Sequence, residues 1–231
     1  MKPIDLNADI EDAAQQHLLS LITSANIACG GHAGDPAMMR LTLQQCRTQG
    51  VAAGAHPSYP DRANFGRTPL DLSPADLAAT VAQQVQALAD IAEDLVIALT
   101  HVKPHGALYN AAARDAGIAR AIATGLRAHP HLILYGLRGS LMLDVFQQAG
   151  FRIAAEVFAD RAYQPDGSLR PRHLPGALIT DPQQAARNAL ALLSSGGVDT
   201  ICLHSDTPGA LAIASAVREA LTAAGYLLGP L

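Results

Sequence analysis

Short apolar runs rich in Ala, Val, Ile and Leu recur along the chain, and most end on a polar residue or are followed directly by one. Seven of them read as strands, near 4–8, 25–29, 51–56, 96–102, 132–137, 152–157 and 200–204. Helical patterns with clear start signals lie between most of them. Asp35-Pro36 opens a helix to about Gln49, with Gly50 just past its end. Ser73-Pro74-Ala75-Asp76 reads as a capping box that opens a helix to about Ala92, and Asp181-Pro182 opens another that ends near Gly196-Gly197. Proline suits the first turn, where its missing N–H would be unpaired anyway, and glycine suits the left-handed residue past a helix end. Strand followed by helix, repeated about seven times, predicts an α/β fold with a parallel sheet and helical crossovers. The runs are mostly apolar throughout, as expected of strands covered on both faces. Two architectures satisfy this pattern, a closed barrel and an open doubly wound sheet.

Composition narrows the classes. The chain has 231 residues and 49% apolar content, enough for one large domain with its own core, and no Pro/Ser-rich linker divides it. A single domain over residues 1–231 is expected. The net charge is -4, and no run of like charges offers a surface for nucleic acid or a polybasic membrane segment. No apolar run is long enough to cross a bilayer, and the N-terminus enters the first strand without the apolar stretch of a signal peptide. A cytoplasmic location is expected. Cys29, Cys46 and Cys202 are too few and too scattered for a disulfide framework or a C-x-x-C zinc site. Cys29 and Cys202 read as core residues.

The polar strand ends carry the candidate chemistry. The first run is Asp5-Leu6-Asn7-Ala8-Asp9, and alternation puts Asp5, Asn7 and Asp9 on one face. The second leads into Cys29-Gly30-Gly31-His32-Ala33-Gly34-Asp35, and the third ends at His56-Pro57. The fourth ends in His101-Val102-Lys103-Pro104-His105-Gly106. The sixth contains Glu156 and leads to Asp160-Arg161, and the seventh ends in His204-Ser205-Asp206. Five of the nine histidines thus stand at or just past strand C-termini, where barrels and open α/β sheets both build their sites. One such histidine is more often structural; five at one end of one sheet point to a shared pocket. His17, His129, His131 and His173 lack this placement and are expected on the surface. The Gly30–Asp35 turn is either an anion cradle or a tight turn with Asp35 as helix cap, and it matches neither common nucleotide-binding fingerprint. Asp160-Arg161 is either a carboxylate clamp or a loop salt bridge. Pro104 breaks the i,i+4 pairing of His101 and His105, so this is no helical zinc motif. Aspartate and histidines from neighbouring strands, with Asp9, His32 and His56 the candidates, could still hold a divalent metal with an open position.

These same segments resemble the LamB/YcsF family. The resemblance rests on DLNAD from Asp5, SANIACGGHAGDP from Ser24, GAHPSYPDRANFGR from Gly54, HVKPHGALYN from His101, EVFADRAYQPDGSL from Glu156 and DTICLHSD from Asp199, which together span nearly the whole chain in order. It implies an irregular (β/α) barrel of about seven parallel strands, similar to the polysaccharide deacetylase and glycoside hydrolase barrels. It also implies the A component of a three-component enzyme that hydrolyses 5-oxoproline to glutamate with ATP as co-substrate, beside B and C components. Three departures stand out: Ile10-Glu11-Asp12 where the family has a Gly-Glu pair, a shorter segment before Asp199, and His204-Ser205-Asp206 for the usual His-Gly-Asp. On this reading Asp9, His56, His101 and His105 are the acid/base candidates. Lys103 and Arg161 would bind the substrate carboxylate or a developing oxyanion, and Asn7, His32 and His204 would orient substrate. Two other readings stay open: a stand-alone metal-dependent amide hydrolase or deacetylase, and a binding subunit without chemistry. A homo-oligomer is compatible with all three.

Overall fold

The computed structural model describes residues 3–231. Seven parallel strands close into a barrel: β1 (Pro3–Ile10), β2 (Ser24–Ala28), β3 (Ala52–His56), β4 (Leu99–Val102), β5 (Ile133–Leu137), β6 (Ile153–Phe158) and β7 (Thr200–Leu203). Closure is made by β1, which pairs with β2 on one side and β7 on the other, so that Asn7 lies beside both Ser24 and Cys202. The two-residue strand β8 (Leu227–Leu228) pairs with the start of β1, off the ring. The closed ring decides between the two architectures left open by the sequence.

Seven α-helices surround the ring: α1 (Pro36–Gln49), α2 (Pro74–Asp94), α3 (Gly106–Ala112), α4 (Ala116–Gly125), α5 (Leu141–Gln148), α6 (Pro182–Ser194) and α7 (Ala210–Ala223). A 3-10 helix over Ala13–Leu21 joins β1 to β2, opened by a capping box between Asp12 and Gln15. The three helix starts read from the sequence are observed. Asp35, Ser73 and Asp181 accept from the backbone N–H groups of Met38, Asp76 and Gln184, each with proline in the first turn.

Most strand boundaries lie within two residues of those read from the sequence, and the largest shift is at the fourth strand. The fourth strand begins at Leu99, and Val96 belongs to the end of α2. Ile97 N–H donates to the Ala92 carbonyl and Val96 N–H to that of Glu93, the paired bonds of a Schellman ending. Val96 takes the left-handed position with φ 56, and its side chain is 90% exposed. A β-branched residue there imitates the start of an apolar strand in sequence.

The alternation read along the first strand is observed. Leu6, Ala8 and Ile10 join the core beneath the helices, while Asp5, Asn7 and Asp9 turn into the ring. The interior is a ladder of polar layers. Asp5 accepts from Thr23, Ser24, Thr200 and Tyr135. Above it, Asn7 donates to Glu156 and Thr200 and accepts from Asn26. Asp9, His56, Lys103 and Cys202 form the top layer. Buried polar groups are tolerated here because almost every one has its partner. Gly54 makes room for the middle layer: a Cβ there would lie 2.3 Å from the His101 ring.

Candidate active site

Lys103 organises the top layer. Its Nζ lies 2.9 Å from Asp9 Oδ1, 3.0 Å from Glu156 Oε1 and 2.9 Å from Cys202 Sγ. Burial disfavours the ammonium, but Asp9 and Glu156 outweigh it and hold the Lys103 pKa well above its ordinary value. Burial likewise pushes Asp9 up, and His56 with Lys103 reverses this and holds its carboxyl well below the usual range. Asn26 Nδ2 donates to Asp9 Oδ1 at 2.9 Å and fixes its direction. A fixed charge pair therefore faces a cavity of about 290 Å³ that opens at the C-terminal end of the barrel.

His204 forms a second unit on the same cavity. Asp160, fully buried, accepts from His204 Nδ1 at 3.0 Å, from the His204 backbone N–H and from the Thr207 hydroxyl. Holding Nδ1–H leaves Nε2 with its lone pair, the arrangement of an oriented general base. The His204 ring stacks on Phe158 at 5.2 Å. Arg161, Arg172, Arg67 and His173 line the rest of the cavity. Arg161 is buried and donates to the carbonyls of Arg170 and Ala177; burial and the nearby Arg172 lower it to about 10. Arg67 and Arg172 both pair with Asp206.

A third group sits where this cavity meets a neighbouring groove. Donor atoms of Glu11, His32, His56 and His105 all lie within 4.8 Å of one another, and all four residues are buried. Three imidazoles and a carboxylate suit a divalent metal, and both ring nitrogens of His32 lack a hydrogen-bond partner. The residues present therefore fit such an ion.

The LamB/YcsF family model matches residues 4–231. This chain belongs to the LamB/YcsF family. It is 48% identical to the 5-oxoprolinase A component of Chloroflexus aggregans over 97% of each chain, and 45% identical to that of Limosilactobacillus fermentum over 99% of each. Among solved structures, the lactam utilization protein of Thermus thermophilus superposes with a TM-score of 0.92 at 41% identity, covering 100% of both chains. A family 4 carbohydrate esterase from Streptomyces lividans, at 13% identity and a TM-score of 0.53 over 99% of this chain and 92% of its own, shares the fold.

In this LamB/YcsF barrel, Asp9, His56, Lys103, His105, Arg161 and His204 all line the one cavity. His32 lies behind it, stacked on His105 at 3.8 Å. Asn7 and His101 lie one layer below. His101 Nε2 donates to Asn26 Oδ1, Nδ1 faces Thr100 Oγ1, and the ring stacks on Tyr135. Burial first, then Lys103 and His56, lower His101 to about 3, so it is a neutral imidazole with both nitrogens engaged. Its position suits holding Asn26, and through it Asp9, rather than meeting a substrate.

Other expectations change with the geometry. Glu11 and His105 join His32 and His56 in one possible metal-ligating set, while Asp9, bonded to Lys103, falls in a second with Cys202 and His204. Asp160 pairs with His204, not Arg161. Cys202 is buried as expected but also meets Lys103, and His173 is exposed as expected but also borders the cavity. The Gly30–Asp35 turn is closed by a Gly30 to Ala33 bond, braced by Arg62, and capped by Asp35, so it is a tight turn and no anion cradle. Glu11, Asn26 and Glu156 are functional candidates that the strand-end reading left unassigned, and it joined Asp160 to Arg161 rather than to His204. Continued alternation would reach three of these four: Glu11 follows Asp9 just past the end of β1, Asn26 follows Ser24 on β2, and Asp160 follows Glu156 and Phe158 past β6.

Proposed function

We propose that this chain is the A component of an ATP-dependent 5-oxoprolinase, a hydrolase that opens the cyclic amide of 5-oxo-L-proline (pyroglutamate) to give L-glutamate, acting in the cytoplasm with B and C subunits. The observation that carries the reading is the Asp160–His204 pair facing the same cavity as Lys103 and Asp9. The names of the full-length relatives support it.

A lactam is a poor electrophile, and phosphorylation of its oxygen by ATP would activate it. The chain carries no P-loop, so phosphoryl transfer is assigned to the partner subunits. His204 Nε2 then takes a proton from water as the water oxygen bonds to the activated ring carbon, and Asp160 stabilises the imidazolium. The C–N bond breaks, its electron pair stays on nitrogen, and His204 returns the proton there. The product is the γ-acyl phosphate, which a second water hydrolyses to glutamate and phosphate. As the C–N bond breaks, the new hydroxyl gives its remaining proton to solvent and becomes the acyl carbonyl, and Lys103 would stabilise the negative charge that this oxygen develops. Arg161 and Arg172 match the substrate carboxylate and the phosphoryl group. A divalent metal held by Glu11, His32, His56 and His105 would add Lewis acidity beside the cavity. That cluster favours the second reading, metal-dependent amide hydrolysis without partners.

The test is glutamate release from 5-oxoproline and ATP by this chain alone and with B and C subunits. Turnover only in the mixture is expected. Turnover by the chain alone, or none in a mixture shown to be folded and associated, rejects the proposal.

A further inference from the structure

We infer that Glu11, His32, His56 and His105 form a specific site for one transition-metal dication, with His56 Nε2, His105 Nδ1, His32 Nε2 and Glu11 Oε1 as its donor atoms. The inference stands whether or not the substrate is 5-oxoproline.

The first argument is tautomeric. His56 Nδ1 lies 2.7 Å from the Lys103 carbonyl oxygen, and His105 Nε2 lies 3.0 Å from that of Phe65. A carbonyl only accepts, so both of these ring nitrogens carry the hydrogen. In the neutral rings, His56 Nε2 and His105 Nδ1 are then both lone-pair nitrogens, and they face each other at 2.9 Å. Two lone pairs at that distance repel unless a proton or a metal ion lies between them, and Asp9 Oδ2, 3.4 Å from His56 Nε2, adds to the pull on a cation there. Backbone carbonyls that fix the far nitrogen of each ring are what ligating histidines ordinarily have.

The second argument is the orphaned ring beside them. His32 is 2% exposed, and neither of its nitrogens has a hydrogen bond. Its Nε2 stands 3.5 Å from Glu11 Oε1, and the same oxygen is 3.5 Å from His105 Nδ1. No hydrogen bond opposes a turn of the His32 ring onto an ion. Asp9, Glu11 and Glu156 bring three carboxyl groups to this region against the single ammonium of Lys103, so a further cation is electrostatically welcome.

The third argument is strain. Phe65 has φ 56, a left-handed conformation that strains the backbone of a bulky residue. That conformation accompanies its carbonyl's contact with His105 and sets its ring edge-on to both His32 and His105. Gly66 follows, packed so closely that a Cβ would lie 2.9 Å from the His32 Cβ. Three nitrogens and one carboxylate, without thiolate, select zinc or a neighbouring first-row dication over magnesium or calcium.

The test is direct. The full-length chain is stripped with chelator, titrated with zinc chloride against a chromophoric competitor, and separately loaded with cobalt chloride. Expected are one zinc per chain, a rise in thermal midpoint on loading, and visible d–d absorption for cobalt. Glu11→Gln and His32→Ala should each weaken zinc at least about tenfold, while His131→Ala, at an exposed position, leaves it unchanged. Folding of each variant is verified by circular dichroism, and the isosteric Glu11→Gln serves if His32→Ala fails to fold. A folded wild-type chain that takes up no stoichiometric zinc, or zinc binding that Glu11→Gln leaves intact, overturns the inference.

Discussion

At His204 the catalytic proposal depends on a carboxylate that the cavity never meets. Burial pushes Asp160 up, but His204 and the Thr207 hydroxyl outweigh it and hold its carboxyl below the ordinary 3.8. As pH falls, the unfolded chain therefore takes up this proton first. The resulting stabilisation of the fold is fully present above about pH 4 and is lost as pH falls through the folded value. Asp160→Asn removes this dependence. Wild type should lose more thermal stability than the variant between about pH 5 and pH 3, and parallel curves would contradict the ion pair. The same variant should lower glutamate release about a hundredfold or more, because an amide cannot support the imidazolium. Position at a strand end identifies His56, Lys103, His105 and His204, since the barrel forces such residues to one rim. It cannot distinguish His101, whose side chain turns down into the ring, and it cannot pair Asp160 with a histidine 44 positions away.

Element boundaries follow capping chemistry where a side chain does the capping, which is why α1, α2 and α6 begin where Asp35, Ser73 and Asp181 stand. The end of α2 is less legible because Val96 occupies a position that glycine or asparagine usually fills. Val96→Asn should therefore stabilise the protein by roughly 0.5–1 kcal/mol, since asparagine tolerates the left-handed region and little packing is lost. A chemical denaturation midpoint that falls in the variant would refute this account. The polar face of the strands was obscured for a different reason. Each run carries only one to three polar residues among apolar ones, and their common destination appears only once the ring closes.

Across the whole molecule, the loops that follow β3, β6 and β7 meet at Asp206, which binds Arg67 and Arg172 over the cavity. Partly exposed ion pairs are individually weak, about 0–1 kcal/mol. A shared carboxylate nonetheless joins three loops at one point. Asp206→Ala should accelerate hydrogen exchange in segment 161–179 and leave the barrel strands unchanged; equal exchange in that segment would rule out a tie. The alternation of strands and helices suffices for the α/β class, whereas closure into a ring depends on β1 pairing at both edges, a long-range choice that no local pattern encodes.

The polar ladder inside that ring has a consequence for how such a sequence can drift. In an oily core, a smaller side chain leaves a cavity that neighbours partly fill. Inside this barrel, changing Asn26 alone takes a partner from Asn7, Asp9 and His101 together, and changing Asn7 takes one from Asn26 and Glu156. Effects of substitution within the column are then strongly non-additive. Its members are bound to evolve as a set, through coordinated exchanges, while the leucines and valines outside the ring substitute one at a time.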